Sequence, residues 1–380
     1  MTLPAVYLDH NASTPLLPEA RAAIVAALEL AGNPSSVHGH GRALRNLVEA
    51  ARDRVATLAG ATRQQVVFTS SGTEAITQAI VGAKALGVTG LVIGAGEHAA
   101  VHKAAEASGL PMQVIGLDGD GVVRLDQLDE AVKDSAGPVL VAVQAINNET
   151  GVVQPLGKIA AMVGPTPHFL FVDAVQALGR LPLDFAASAA DMMAVSAHKI
   201  GGPAGVGALL VKAHADAVRL IPGGGQEQGR RGGSEPAALI AGFGAAAEAF
   251  TRRYDAVRVG ELTAQVEAGL RALAPDLVVF GSAVERVGNV VNFAVPGVGN
   301  AAAMMSLDLM GISVSSGSAC SSGKVGASAV LKAMGVPAEL AGCALRVSPG
   351  WNSTGEDVTA FLAGFGEVLE RHRGRRGKAA

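Results

Sequence analysis

The sequence has little cysteine, little excess charge and no long apolar run. Two cysteines in 380 residues exclude a disulfide-rich secreted scaffold and favour a reducing compartment, the cytoplasm. Lysine and arginine number 30 against 33 aspartate and glutamate, so no electrostatic argument supports nucleic acid as the main partner. No apolar run reaches the roughly 18 residues that a membrane-spanning helix needs, and no signal-like segment precedes the first strand-like residues. We therefore expect no nucleic-acid partner and no membrane contact.

Aromatic residues are also scarce, at 3% of the chain, whereas hydrophobic residues make up 49%. The core must therefore be built mostly from Ala, Val and Leu. A chain of this length is expected to form two domains. Strand-like runs alternate with alanine-rich helical stretches, a pattern typical of an α/β fold with a parallel sheet. Residues 139–143, for example, form a continuous apolar run of the kind that is buried on both faces of such a sheet.

A lysine follows one of these predicted strands. Residues 192–195 are apolar, and Ser196, His198 and Lys199 come next, before a Gly-Gly-Pro turn. A lone lysine at such a place more often lies at the surface, because an ammonium is costly to remove from water without a partner. The alternative is a desolvated amine with a lowered pKa, which suits Schiff-base chemistry.

A carboxylate at the end of another strand favours the second interpretation. Asp173 follows the apolar run at residues 169–172. An amine and an acid at neighbouring strand ends match pyridoxal 5'-phosphate, which needs an amine for its aldehyde and an acid for its ring nitrogen.

Three segments carry a resemblance to a known family. Asp173-Ala-Val-Gln176 and Ser196-Ala-His198-Lys199 resemble the class V, fold-type I pyridoxal phosphate enzymes. Ser315-Ser-Gly-Ser-Ala-Cys320 is similar to the corresponding segment of the NifS/IscS-like cysteine desulfurases. The resemblance extends from Tyr7 to Arg346.

The resemblance implies a two-domain α/β fold, that of the fold-type I PLP-dependent transferases. A large domain with a mainly parallel sheet is expected at residues 14–250. A smaller α+β domain is expected from residues 1–13 and 251–380, and it carries the cysteine segment and Arg346. Within this frame, a long helix is predicted at residues 43–59 and one or two helices at residues 237–273.

A phosphate site is predicted where a helix opens at Ser71, Gly72 and Thr73. Free backbone N–H groups and the helix dipole favour an anion there. Simple N-capping by Ser71 or Thr73 is the alternative, but the company of Lys199 and Asp173 favours phosphate. The resemblance adds the side chains of Ser196 and His198 to this phosphate site.

The resemblance also assigns residues around the ring and the substrate. His98 is implied to stack on the cofactor ring and to take part in proton transfer, while a surface or metal-binding pair with His102 is the alternative. Asn148 and Gln176 are implied to contact the cofactor's phenolate oxygen, although Asn148 lies in a segment that also suits a turn. Asn148 and Arg346 are implied to bind the substrate carboxylate. A planar guanidinium suits that task, with a structural salt bridge as the alternative for Arg346.

Two polar segments are implied to lie at the mouth of the site, residues 7–15 and residues 32–42. The second contains His38 and His40, whose spacing suggests a metal, but no acidic or thiol partner is near in sequence. We therefore predict no metal site.

The glycine-rich segment at residues 222–234 reads as a flexible loop by composition. The resemblance implies that it crosses the interface of a homodimer, where Ser234 completes the partner's phosphate site in a place usually held by Thr. Gln228 stands where Arg is common in the family, which is a departure in the charge of this loop.

The two cysteines are expected to differ. Cys320 lies in a Ser/Gly-rich segment, which favours an exposed thiol able to move between partners, and Lys324 is the nearest charge that favours its thiolate. Cys343 lies in an apolar run and is expected to be structural. A P-loop interpretation of Gly317 to Lys324 fails, because the spacing is one residue too long and Val325 replaces the magnesium-binding Ser or Thr.

The function predicted from the resemblance is cysteine desulfurization. L-cysteine is converted to L-alanine, a persulfide forms on Cys320, and the sulfur passes to an acceptor protein for iron–sulfur clusters or tRNA thiolation. Lys199, Cys320 and His98 are the predicted catalytic residues. A selenocysteine lyase or another class V lyase or aminotransferase is the alternative within enzymes, and a non-catalytic cofactor-binding scaffold is the alternative outside them.

Overall fold

The computed structural model describes residues 6–316 and 328–379, with side chains described up to residue 373. The strands in these ranges are β1 (Val6–Tyr7), β2 (Val66–Thr69), β3 (Gly90–Gly94), β4 (Met112–Ile115), β5 (Val139–Gln144), β6 (Phe169–Asp173), β7 (Met192–Ser196), β8 (Gly207–Val211), β9 (Val278–Val279), β10 (Val291–Ala294), β11 (Ile312–Ser313) and β12 (Ala344–Val347). The α-helices are α1 (Pro18–Leu28), α2 (Gly39–Ala59), α3 (Gly72–Gly82), α4 (Ala99–Ser108), α5 (Leu125–Lys133), α6 (Leu156–Val163), α7 (Ala237–Arg253), α8 (Ala256–Leu273), α9 (Asn300–Leu309), α10 (Ala329–Ala333), α11 (Ala338–Ala341) and α12 (Gly355–Ala379).

A seven-stranded sheet organises the larger part of the chain, in the order β2-β8-β7-β6-β5-β3-β4. Strands β4, β3, β5, β6 and β7 pair in parallel, while β8 pairs antiparallel with both β7 and β2. The predicted α/β architecture with a large, mainly parallel sheet is confirmed.

Both faces of this sheet are covered, which explains the continuous apolar strands. Successive side chains of a strand point to opposite faces. In β5, Val141 and Val143 join one hydrophobic core with α1, α2 and α7, and Leu140 and Ala142 join another with α3 and α4. Every residue of β5 is buried as a result.

The smaller part of the structure combines the beginning of the described chain with its last third. Strand β10 pairs antiparallel with β9 and β12, and β1 pairs in parallel with β11. A separate hydrophobic core joins residues 6–8 to α8, α9 and α12. The division of the chain at residues 14 and 250 stays a prediction. The predicted helical stretch at 237–273 is two helices, α7 and α8, separated at Tyr254 and Asp255.

The strand directions bring the ends of several strands to one edge of the large sheet. Since β2 and β7 are both antiparallel to β8, they run the same way as each other and as the parallel strands. The segments that follow β2, β3, β5, β6 and β7 therefore meet at one edge, where ligands bind in open α/β sheets. Among the described residues, no helix is long and apolar enough to cross a membrane.

Candidate active site

A cavity of about 390 Å³ opens at this edge of the large sheet. Its walls contain many of the predicted site residues: Gly72, Thr73, His98, Asn148, Asp173, Gln176, Ser196, His198, Lys199 and Arg346. These residues come from five strand ends and from the smaller part of the chain, so the fold brings together side chains that are far apart in sequence.

Lys199 lies on the cavity wall in a short 3-10 turn, Ala197–Lys199, directly after β7. Its Nζ donates to the backbone oxygens of Asn11 at 2.6 Å and Ala12 at 2.9 Å. Both acceptors belong to the segment that was expected at the mouth of the site. Lys199 therefore lines the cavity, where its amine is hydrogen-bonded, and does not lie on the outer surface.

Asp173 ends β6 on another wall and is buried. Its Oδ1 accepts a hydrogen bond from the Val175 backbone nitrogen at 3.0 Å, and among the described residues the carboxylate forms no ion pair. Burial raises the pKa of Asp173, and the nearby His98 and Lys199 partly offset that effect. A buried carboxylate that faces a cavity and forms no ion pair with the described residues suits a cationic group of a ligand.

The N-terminus of α3 forms a third wall. The Ser71 side chain accepts from the Glu74 backbone nitrogen at 3.1 Å and so caps the helix, as the capping alternative predicted. Capping does not conflict with an anion site, because Gly72 and Thr73 still line the cavity with Ser196 and His198. A Cβ at Gly207, on β8, would lie 2.6 Å from the Ser71 carbonyl carbon. This close backbone approach fixes the helix start beside β7 and β8.

His198 is neutral at physiological pH in this environment. Burial, together with the positive charges of Lys199 and Arg180, lowers its pKa to about 4. A neutral imidazole can donate one hydrogen bond to an anion without adding a positive charge.

Gln176 follows β6 and is held from two sides. Its Nε2 donates to the Asn11 backbone oxygen at 2.9 Å, the oxygen that also accepts from Lys199. Its Oε1 accepts from Nη1 of Arg180. The amine of Lys199 and the amide of Gln176 therefore share one acceptor.

The two adjacent amides after β5 have different surroundings. The Asn147 side chain is turned inward: its Oδ1 accepts from the backbone nitrogens of Glu149 and Thr150, and its Nδ2 donates to the Gly96 oxygen. Asn148 lines the cavity. The structure therefore brings the second amide, and not the first, to the wall.

Arg346 lies on β12 and closes the cavity from the smaller part of the chain. Its Nη2 donates to Oδ1 of Asp9 at 2.7 Å and its Nη1 donates to the Asn148 backbone oxygen at 2.9 Å. The predicted alternative, a salt bridge, is therefore present. The guanidinium also faces the cavity. A substrate carboxylate that binds there therefore competes with Asp9 for the guanidinium or binds to it together with Asp9.

His98 lies on the cavity wall as the N-cap of α4, where its Nδ1 accepts from the Ala100 backbone nitrogen at 3.1 Å. The proton of the neutral imidazole is then on Nε2. Among residues 6–316 and 328–373, no group of three or more His, Cys, Asp or Glu side chains could hold a metal ion. His38, half of the other histidine pair, caps α2 through Nδ1, which accepts from the Gly41 nitrogen.

Two predicted residues are absent from the described lining of the cavity. Ser234 is exposed and does not line this cavity. Cys320, with Lys324, lies outside the described residues. The residues that flank it are described: Ser315 pairs with Arg346 through two backbone hydrogen bonds, and Ser328 donates to Oε2 of Glu149 at 2.5 Å. The other cysteine, Cys343, is buried.

Sequence reasoning missed several polar side chains that surround the site. Asn11, Arg180, Glu97 and Glu149 are buried beside the cavity. Only Asn11 had a signal, its place in the polar segment at residues 7–15. The other three depend on which strands become neighbours, which local sequence does not reveal.

The residues present fit pyridoxal phosphate. The cavity supplies an amine (Lys199), a buried carboxylate (Asp173) and a helix N-terminus with hydroxyl and imidazole donors nearby. These are the groups that the aldehyde, the ring nitrogen and the phosphate of this cofactor require.

The chain is similar to known proteins over almost all its length. The aminotransferase class-V family matches residues 6–361. A cysteine desulfurase of Cereibacter sphaeroides is 39% identical over 379 residues, which cover 97% of this chain and 96% of the relative. The cysteine desulfurase IscS of Dictyoglomus turgidum is 35% identical over 377 residues, which cover 97% and 95%.

Solved structures are similar as well. A NifS-like protein from Rickettsia africae superposes with a TM-score of 0.87 at 31% identity and covers 96% of this chain and 99% of its own. Another NifS-like protein gives a TM-score of 0.88 at 29% identity, with the same coverage. The matched family range contains all the cavity residues named above.

Proposed function

The chain belongs to the aminotransferase class-V family and is a pyridoxal-phosphate-dependent cysteine desulfurase, and from that premise we propose that it leaves the sulfur of L-cysteine as a persulfide on Cys320. The observation that carries the proposal is the convergence of Lys199, Asp173 and Arg346 on one cavity. A non-catalytic scaffold needs none of these three groups there.

Pyridoxal phosphate, when bound, supplies an aldehyde for the substrate amine and a ring that withdraws electrons from the substrate Cα. In our proposal, Lys199 holds the aldehyde in the resting enzyme, and Asp173 keeps the ring nitrogen protonated. Gly72, Thr73, Ser196 and His198 bind the phosphate. The buried position of Asp173 supports its role, since a charge pair is strengthened in a site that excludes water.

The substrate is bound by its carboxylate in this proposal. Arg346 supplies a charged fork, and Asn148 supplies an amide beside it. This binding presents the substrate Cα to Lys199, whose amine would be released when the substrate amine takes its place on the aldehyde and would then remove the Cα proton. His98, also on the cavity wall, stacks on the ring and moves protons between the substrate and the protein.

Sulfur transfer follows from the chemistry of a thiolate. The sulfur of Cys320 forms a bond to the substrate sulfur while the substrate carbon–sulfur bond breaks, and the carbon side takes up a proton to leave as alanine. The persulfide is then passed to an acceptor protein, in iron–sulfur cluster assembly or tRNA thiolation. We place the enzyme in the cytoplasm, because a persulfide-forming thiol needs a reducing compartment.

We also propose a homodimer. Apolar side chains of α1 and of the segments beside it are exposed, among them Val25, Leu28 and Val37. The nearby loop that ends at Ser234 points outward and contributes nothing to its own cavity. In the dimer, the Ser234 hydroxyl completes the partner's phosphate site.

Mass spectrometry of the purified protein after incubation with L-cysteine tests the proposal. We expect one additional sulfur atom on the peptide that contains Cys320 and none on the peptide that contains the buried Cys343. Cys343→Ser is the matched control and should keep sulfur transfer. Full release of sulfide and alanine by Cys320→Ala would instead support a lyase that does not use this thiol.

A further inference from the structure

Arg180 is a buried cation beside the active-site cavity that lacks an acidic partner. It is 8% exposed, and among the described residues no carboxylate lies within ion-pair distance of it. Its Nη1 donates to Oε1 and the backbone oxygen of Gln176, and its Nη2 donates to the Lys199 backbone oxygen at 3.3 Å. Its neutral acceptors therefore belong to residues of the cofactor site.

A buried charge without a counter-ion is destabilising. Burial lowers the pKa of the Arg180 guanidinium, which reflects this cost, but an arginine stays protonated in proteins. The positive charge also reaches the cavity wall, because it lowers the pKa of His198. A cation in this place favours negative charge in the cavity.

The contact with Gln176 has a second consequence. A glutamine amide can present either its oxygen or its nitrogen, and a simple flip exchanges the two. Since Oε1 of Gln176 is occupied by the Arg180 guanidinium, which only donates, Nε2 must point the other way, where it donates one proton to the Asn11 backbone oxygen and keeps the other for the cavity. Gln176 can then act only as a donor toward the cavity.

We propose that Arg180 is a positioning residue for the cofactor: it holds Gln176 with its amide nitrogen toward the cofactor's phenolate oxygen and places a positive charge behind that amide. The proposal rests on the cofactor site described under the proposed function. An anionic oxygen beside the Lys199 linkage is favoured by this arrangement. An anionic oxygen would otherwise promote protonation of the linkage. The hydrogen bond from Gln176 and the positive charge of Arg180 weaken that effect, so protonation of the linkage is disfavoured.

The absorbance of the bound cofactor as a function of pH tests this inference, because it reports protonation of the Lys199 linkage without turnover. In Arg180→Met, both the charge and the constraint on Gln176 are removed. We expect the midpoint, which is the pH at which half of the Lys199 linkage is protonated, to rise by about one pH unit. This is a tenfold change in the proton dissociation constant of the linkage. An unchanged midpoint would overturn the proposal.

A double-mutant cycle separates positioning from charge alone. Gln176→Leu removes the donor and should also raise the midpoint. If Arg180 acts through Gln176, Arg180→Met shifts the midpoint less in the Gln176→Leu background than in the wild type. Equal shifts in the two backgrounds would contradict positioning.

A matched control accounts for the loss of a buried arginine contact as such. Arg258 donates to the backbone oxygens of Trp351 and Ser353 and does not line the cavity. Arg258→Met should lower thermal stability and leave the midpoint unchanged. A shift in Arg258→Met equal to that in Arg180→Met would count against the proposal.

If Arg180→Met does not fold, Arg180→Lys carries the test. Lysine keeps the charge but cannot reach both the Gln176 and Lys199 acceptors with a planar fork. We expect a smaller rise in the midpoint, and a wild-type midpoint would overturn the inference. Failure of the proposed function is distinguishable, because the wild-type protein would then still show the pH-dependent cofactor absorbance but gain no sulfur on the peptide that contains Cys320.

Discussion

Two buried carboxyl groups, Glu97 and Asp173, lie at the ends of strands in the large sheet. Oε1 of Glu97 accepts from the backbone nitrogen of Gln144 at 2.9 Å, and Gln144 pairs in register with Asp173. Burial raises the pKa of Glu97 well above its usual range, and Asp173 raises it further. The raised pKa favours the protonated form of Glu97, which limits the negative charge beside Asp173.

This protonation state predicts a pH-dependent effect of Glu97→Gln on stability. Glu97 has a raised pKa when folded, so above its unfolded value of about 4.5 the native state binds a proton that the unfolded state has lost. Wild-type stability therefore falls, relative to the glutamine variant, as pH rises from that value toward the folded pKa. The loss is about 1.4 kcal/mol for each unit by which folding raises the pKa.

Urea unfolding of the cofactor-free protein at pH 5 and pH 8 measures this difference. The free energy of unfolding of Glu97→Gln, relative to that of the wild type, should be higher at pH 8 than at pH 5. Glu106→Gln, an exposed glutamate on α4, is the control and should show no comparable trend. A difference between Glu97→Gln and wild type that does not change with pH would mean that Glu97 is ionised in the folded protein.

At the residue scale, sequence reasoning identified the groups that face the cavity better than the groups behind them. Lys199 and Asp173 could be predicted because each lies within four residues of the end of an apolar run and in a segment that resembles the class V enzymes. Glu97 and Arg180 could not, since their burial depends on contacts with Gln144 and with the Lys199 backbone, which are set by the order of strands in the sheet.

At the scale of elements, the strands were predicted more closely than the helix starts. The apolar run at residues 169–172 corresponds to β6 with Asp173 added. Helix α2 begins at Gly39 and not at residue 43. The predicted start was too late because the two glycines there suggested a break. His38 caps the helix. Position 41 requires glycine, because a Cβ there would lie 2.3 Å from the Ser36 backbone oxygen.

The contact between β8 and the start of α3 gives a prediction at this scale. A Cβ at Gly207 would lie 2.6 Å from the carbonyl carbon of Ser71 and 2.7 Å from the nitrogen of Gly72. Gly207→Ala therefore moves the predicted phosphate site away from Ser196. We expect cofactor affinity to fall about tenfold or more, which corresponds to about 1.4 kcal/mol.

Fluorescence titration of the cofactor-free variant with pyridoxal phosphate measures that affinity. Gly157→Ala, at the start of α6, is the control because its Cβ would meet nothing within 4 Å. The control should bind the cofactor as the wild type does. Wild-type affinity in Gly207→Ala would show that the helix start is not fixed by this contact.

At the scale of the whole molecule, long-range pairing decides what lies beside the cavity. Strand β1, at residues 6–7, pairs with β11, at residues 312–313, and Arg346 on β12 reaches Asp9 and the segment before Cys320. The local sequence patterns do not predict which residues of these short strands pair with each other. The resemblance placed Arg346 at the site, but its ion pair with Asp9 is a contact between residues 337 positions apart.

The loop that ends at Ser234 is fixed to its own subunit by ion pairs. Glu227 is buried against Arg52 at 2.6 Å, and Arg231 contacts Glu74 at 2.8 Å. Glu227 and Gln228 have positive φ angles of 47° and 58°, a conformation that costs non-glycine residues free energy. A loop held in this way, with an exposed Ser234 that does not line its own cavity, agrees with the proposed contact with a second copy.

Charge on the exposed apolar face of α1 should therefore disrupt both the dimer and cofactor binding. Val25 and Leu28 are 54% and 69% exposed. We expect Val25→Glu/Leu28→Glu to sediment as a monomer and to bind pyridoxal phosphate ten- to a hundredfold more weakly, since a hydrogen bond to a charged group contributes about 1.5–3 kcal/mol. Met305→Glu/Leu309→Glu charges an even more exposed apolar pair on α9 and should remain dimeric with wild-type affinity. If the α1 variant is monomeric but binds pyridoxal phosphate with undiminished affinity, the phosphate site does not depend on the dimer. The proposed role of Ser234 is then ruled out.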